Sequence, residues 1–233
     1  EDQRGEEFRR VNHVFVLEEI KGPNGDELTI SGQINDIAET ERIYAVRFVG
    51  EKGFVVTFRQ TDPLFTIDLS DPADPFIVGE LHIPGFSTYL HPYGAEHLIG
   101  IGQSATDEGR ITGMQLSLFD VSDFANPELA HRQLLGQGSS EAIYNHHAFT
   151  FWAPLDLLMI PLQSYDNEAR RIGLELYNVS TDNGFAVGGF IHHEALVEEE
   201  FGGQPAIRRS IIMGDQVLTV SAYGLMTHDL DSL

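Results

Sequence analysis

Arg47, His91, His146 and Arg209 each sit in a short apolar run, and superposing those runs puts all four at one position. Two guanidinium groups and two imidazoles around a common axis would make a cationic focus. Arginine's planar fork suits carboxylate or phosphate, and histidine near neutrality adds charge or a metal-ligating nitrogen. The chemistry this predicts is the binding of a small anion or of an acidic peptide end. The plainer alternative is that the arginines pair with neighbouring carboxylates and the histidines bond to water, which only satisfies buried polar groups.

Metal chemistry has fewer footholds. The pairs His146/His147 and His192/His193 are neighbours in an extended chain, where adjacent side chains point to opposite faces, so neither pair chelates an ion alone. A divalent metal would need partners from separate segments, with His91 and His146 as the candidate ligands. The turns SDPADP (70–75) and SDFANP (122–127) offer oxygens to calcium. Their spacing is not that of an EF-hand loop, and Asp, Asn and Pro at these places fit Asx turns that open the next strand. No GxSxG, HExxH or phosphate-cradling loop is present, and no helical pattern follows the glycines of GIGQSATDEG (100–109). Ser140 lies near His146 in sequence, but a triad depends on geometry.

The elements that position these residues are repeated. VFVLEE, TIDLSD, LFDVSD, LYNVST and THDLDS, aligned on Phe15, Ile67, Phe119, Tyr177 and His228, recur at spacings of 52, 52, 58 and 51 residues. Periods of this length mark propellers or arrays, and four short β-branched or aromatic runs per period predict four-stranded antiparallel blades. The fold expected is all-β, with blade repeats at 42–83, 87–135, 142–191 and 206–233 and a half-blade at 14–34. First strands are expected at 43–50, 87–94, 142–149 and 206–214. The offsets Arg47 to Val55, His91 to Ile99 and Arg209 to Val217 are all eight. About four blades result, entered at a third strand and left after a third strand. Closing a four-bladed ring would leave 14–20 surplus, so the ring is expected to be larger, completed by other segments, a second chain or a dimer mate. Residues 1–233 are then one propeller domain or a segment of one.

On the face bearing the second-to-third and fourth-to-first loops, Asp62, Ser87, Ser140 and Glu141 are further ligand-binding candidates. The insertion HEALVEEEFGGQP (193–205) is the longest loop and is expected to move or touch a partner.

Charge narrows the partners. Thirty-six acidic against fourteen basic residues give a net charge of -22, which repels nucleic acid and anionic lipid. There is no cysteine, hence no disulfide or thiolate chemistry. No apolar run approaches the roughly 18 residues of a membrane helix, and EDQRGEEFRR reads as the start of a trimmed product.

The joined phrases RIYAVRFVGEKGFVVTFRQTDPLFTIDLSDPADPFIVGELHIPGFSTYLHPYGAEHLIGIG, LSLFDVSD, SSEAIYNHHAF and IRRSIIM resemble the secreted bacterial and archaeal proteins with a C-terminal β-propeller distantly related to WD40 repeats. That resemblance implies a propeller, membership of a longer chain, and an extracellular, cell-surface or periplasmic setting. It carries no catalytic residues. The function expected is binding of a ligand or protein partner at the channel mouth and top loops. The alternative is a hydrolase or metal-dependent enzyme with its site on the axis, and a purely structural role is the third reading.

Overall fold

The computed structural model describes residues 10–23, 25–58, 62–166, 169–197 and 203–233, the side chains of 62, 166 and 169 excepted. Eighteen strands lie in it: β1 (Val14–Ile20), β2 (Glu27–Ile34), β3 (Arg42–Val49), β4 (Lys52–Phe58), β5 (Asp62–Asp68), β6 (Phe76–Ile83), β7 (Phe86–Tyr93), β8 (His97–Ala105), β9 (Ile111–Asp120), β10 (Glu128–Gly136), β11 (Gly138–Ser139), β12 (Thr150–Trp152), β13 (Leu157–Asp166), β14 (Ala169–Ser180), β15 (Gly184–Ile191), β16 (Ile207–Met213), β17 (Gln216–Ser221) and β18 (Gly224–Asp229). They form five antiparallel sheets: a half-blade (β1, β2), blade I (β3–β6), blade II (β7–β10), blade III (β11–β15) and a three-stranded blade IV (β16–β18). Among the described residues no helix is long and apolar enough to cross a membrane.

Blades I to III bury both faces against their neighbours, which is why their second strands read as near-continuous apolar runs. In blade I, Val55 faces the half-blade with Phe65 and Ile67, while Phe54 and Val56 face Leu90, Leu98 and Phe119 of blade II. Ile99 and Leu116 of blade II meet Leu158, Ile160 and Tyr177 of blade III. Met159, Leu174 and Leu176 in turn meet Ile207 and Val217 of blade IV. The period-2 alternation of a strand thus becomes a chain of interlocked cores.

The recurrent third-strand phrase has a physical basis. Ile67, Phe119 and Tyr177 pair with Ile77, Leu129 and Val187, each next to a bulge in the third-to-fourth ladder, and all three are buried. In the half-blade the place beside the bulge belongs to Leu17, two residues after the Phe15 aligned by sequence, and Leu17 is 54% exposed, since among the described residues no inner strands flank it. The acidic turns are Asx turns: Asp71 accepts from the Ala73 amide at 2.9 Å and Asp123 from Ala125 at 3.1 Å. Hydrogen bonds from the Ser70, Ser122 and Asn126 side chains lead in holding the carboxyls of Asp68, Asp120 and Asp123 below their ordinary range.

One strand expectation is corrected. Residues 142–149 are not the first strand of blade III but two 3-10 turns, Glu141–Ile143 and His146–Ala148, and the inner strand is the short β12. Ser140 caps the first turn by accepting from the Ala142 amide, and Asn145 caps the second by accepting from the His147 amide. Two N-caps five residues apart in sequence favour turns over a ladder. Of the loop 193–205, residues 198–202 lie outside the described residues. Its start is pinned: the His193 ring is wholly buried, with hydrogen bonds to Ser221 Oγ at 2.8 Å and Thr219 Oγ1 at 2.7 Å.

Candidate functional site

The inner strands share a device that the sequence pattern does not display. In β3, Tyr44 is skipped by the ladder, since Ile43 pairs with Thr57 and Ala45 with Val56. Thr88 is skipped between the Ser87–Gly102 and Tyr89–Ile101 pairs, and Arg208 between Ile207–Ser221 and Arg209–Val220. Each bulged residue stands five places before the last ladder residue of its strand, Val49, Tyr93 or Met213. A bulge re-aims its side chain out of the pleat. Tyr44 and Thr88 thereby line one concavity of about 290 Å³ with Tyr89, Tyr144, Asn145 and His146, and Arg208 lines a second of about 160 Å³ with Glu141, Tyr144 and Gln163.

Neighbouring rings hold the walls of the larger cup. Tyr44 packs on Phe86 at 4.2 Å between centroids and carries the Arg42 guanidinium at 5.3 Å. Tyr89 packs on Phe149 at 5.0 Å and stacks with His146 at 6.2 Å, the planes 20° apart. Tyr144 is 77% exposed, an unsupported ring at the rim. Asn145 Nδ2 donates to Glu141, whose carboxylate takes both Nε and Nη2 of Arg208 at 2.9 and 3.2 Å. That contact, ahead of all others, holds the Glu141 carboxyl below its usual range.

The four proposed axis residues do not form one ring. Arg47 and His91 come together: both stand two places before the hairpin of their strand, β3 and β7 pack side by side, and the Arg47 charge acts on both His91 and Tyr89. In the other blades that register position belongs to Thr150, two before Trp152, and Ile211, two before Met213. His146 is exposed in its 3-10 turn and packs on His147 at 4.2 Å. Arg209 is exposed, pairs with Val220 rather than Val217, and acts at a distance on Glu141. The constant offset of eight misleads because its end points hold different ladder places: Val55 pairs with Val46, Ile99 with His91 and Val217 with Ile212, and Arg209 stands four places before its hairpin where Arg47 and His91 stand two.

The loop candidates are also placed. Ser87 is buried at the Gly102 pair, and Ser140 is buried and occupied by its cap. Asp62 begins β5, but its side chain lies outside the described residues, as do residues 59–61 of the preceding loop. Among the described residues no group of three or more His, Asp or Glu is arranged to hold a metal; His91 and His146 share Tyr89 as neighbour, and no carboxylate joins them. Ser140 and His146 do not meet.

A model of the family described as "Beta propeller domain" matches residues 2–233. The chain belongs to the beta propeller domain family. An uncharacterised protein of Archaeoglobus fulgidus is 45% identical over 150 residues, 64% of this chain and 22% of that protein. One of Methanocaldococcus jannaschii is 37% identical over 157 residues, 67% of this chain and 23% of that protein. This beta propeller domain therefore spans less than a quarter of the length of these relatives. Among solved structures, the Nup133 β-propeller domain of Vanderwaltozyma polyspora superposes with a TM-score of 0.43 at 10% identity, covering 94% of this chain and 66% of that one. The computationally designed Ika8 protein gives 0.45 at 9% identity, covering 91% and 57%.

His91 gives the site a pH signature. Burial first, and the Arg47 charge second, hold its imidazole down to about 4, whereas an unfolded histidine titrates near 6.5. The native state therefore binds fewer protons, so this contribution to stability is fully present above about pH 6.5 and is lost as the pH falls toward 4. His91→Asn should remove about 2 kcal/mol of the stability loss seen between about pH 7 and 4.5, allowing for partial exposure. His193 and His228, lowered by burial, act in the same window and remain in both proteins, so the difference isolates His91. Urea melts across that range giving parallel curves would refute the assignment.

Proposed function

We propose that this chain is a non-enzymatic, extracytoplasmic binding propeller whose site is the cup of Tyr44, Thr88, Tyr89, Tyr144, Asn145 and His146. The observation that carries the reading is the pair of bulges that turn Tyr44 and Thr88 from successive blades into one concavity. Three tyrosines and an imidazole offer flat faces, and Thr88 offers a hydroxyl. That mixture suits a small organic ligand, or one side chain of a partner, better than a polymer. Hydrolysis is less well served, since Ser140 is committed to a cap and the His193 ring beside Ser221 is wholly buried. The acidic surface and the resemblance to secreted propellers support the setting.

The test is saturation-transfer NMR with benzyl alcohol and benzamide. Transfer to either probe is expected, with Tyr144→Ala weakening binding about fivefold, the value of roughly 1 kcal/mol of aromatic stacking. Tyr144 is exposed, so its loss leaves the fold intact. No transfer, or transfer unaffected by Tyr144→Ala, would end the proposal.

We also infer that the ring is completed by blades outside this chain. Among the described residues β1 has no second-strand neighbour and β18 no fourth-strand neighbour, so the two free edges are not complementary. The apolar residues Phe15, Leu17, Leu28 and Ile30 at one end and Ile211, Met213 and Leu225 at the other are all exposed.

A further inference from the structure

Tyr89 belongs to two environments. Its ring lines the cup, and its hydroxyl lies 3.3 Å from His91 Nδ1, within reach of the Arg47 charge. Burial, outweighing Arg47, raises the phenol above its ordinary value, so Tyr89 stays protonated and can donate to Nδ1. When Tyr89 donates to Nδ1, the proton of the neutral His91 ring sits on Nε2, for which no described residue supplies an acceptor. The ring is fixed in this attitude by Phe149 at 5.2 Å and Phe151 at 5.3 Å.

Arg47 stands beside this pair with its charge uncompensated among the described residues. Its Nε is buried without a hydrogen-bond acceptor, and no carboxylate among the described residues pairs with its guanidinium. An unpaired, part-buried cation costs stability. Here it stands in a chain of net charge -22, where acidic partners are abundant elsewhere: Arg208 takes Glu141 and Arg171 takes Glu175.

We infer that the Arg47 guanidinium and the His91 Nε2–H, which adjoin the cup through Tyr89 rather than line it, form an anionic subsite beside it, taking the carboxylate of a small organic acid whose flat body lies against Tyr89. This rests on the reading of the cup as a binding site and adds the ligand's charge. A single carboxylate matches one planar fork and one further N–H and is neutralised by one cation. Phosphate would bring a second charge that nothing nearby balances.

The experiment uses a matched pair, benzoate and benzamide, titrated into the whole chain by NMR, with inorganic phosphate as a third probe. Benzoate should bind at least about tenfold more tightly than benzamide, the scale of a charge-assisted hydrogen bond. Arg47→Gln should abolish that preference. Adding benzoate, but not benzamide, should raise the His91 titration midpoint, a shift that a purely structural arginine would not produce. Equal affinities, a preference that survives Arg47→Gln, or phosphate binding more tightly than benzoate would each overturn the inference. Benzamide binding that is sensitive to Tyr144→Ala would, in the same data, leave the cup itself standing. Loss of both probes' binding would sink the cup first.

Discussion

Gly102→Ala should cost about 3 kcal/mol or more, a large part of the 5–15 kcal/mol that holds a typical domain. Gly102 lies in β8 opposite Ser87, one residue from the bulge at Thr88, and the inner strand's backbone rests directly on it. A methyl group there would overlap the Phe86 carbonyl oxygen and press on Ser87 Cα at 2.7 Å. Both are backbone atoms locked in a ladder, so no rotamer change can relieve the overlap. β7 would have to lift away, and with it Thr88 and Tyr89. The variant should therefore lose probe binding along with stability. Gly189→Ala is the control: a Cβ there meets nothing within 4 Å, so its effect should stay within about 0.5 kcal/mol. Denaturant melts giving the two variants similar midpoints would show that close approach at Gly102 is not what the structure depends on.

In native mass measurement, the isolated 25.9 kDa chain should appear chiefly as species heavier than a monomer. Unpaired strand edges beside exposed apolar faces are templates for association. Phe15, Leu17, Leu28 and Ile30 together present such a face on the half-blade. Blade IV presents another, so contact between copies can run head to tail. Phe15→Glu with Leu28→Glu should shift the population toward monomer by placing charge on the half-blade, without touching Val14 and Ile34, which pack half-buried on the cluster of Ile37, Val55, Phe65 and Ile67. A lone, sharp monomer for the unaltered chain would mean that the ends satisfy each other and would refute the larger ring.

The blades were legible because burial imposes a rhythm on side-chain type. Ile67, Phe119 and Tyr177 must be large and apolar where each third strand is sandwiched, and the turn chemistry after them must free the next strand. The pairing of Arg47 with His91 was legible for the same reason, as both occupy one place in adjacent, equally built strands. His146 and Arg209 were not, because Arg209 stands four places before its hairpin instead of two and His146 lies in a 3-10 turn, differences that leave no trace in hydrophobic periodicity. AIYNHHAF alternates well enough to pass for a strand. Only the two side-chain caps, Ser140 and Asn145, signal that it coils. The bulged residues were missed outright: Tyr44, Thr88 and Arg208 share no residue type, and the signal that could have found them is a fixed distance from the hairpin.

That absence of shared type has a consequence for how such a domain can change. A residue skipped by the ladder contributes no cross-strand pair, so its identity is set by its packing and ionic neighbours, such as Phe86 for Tyr44 and Glu141 for Arg208, and not by the ladder. The present chain carries a phenol, a methyl-bearing alcohol and a guanidinium in the three equivalent slots. Selection or engineering could rewrite these slots one at a time and retune specificity blade by blade, while the interlocked cores beneath them stay as they are.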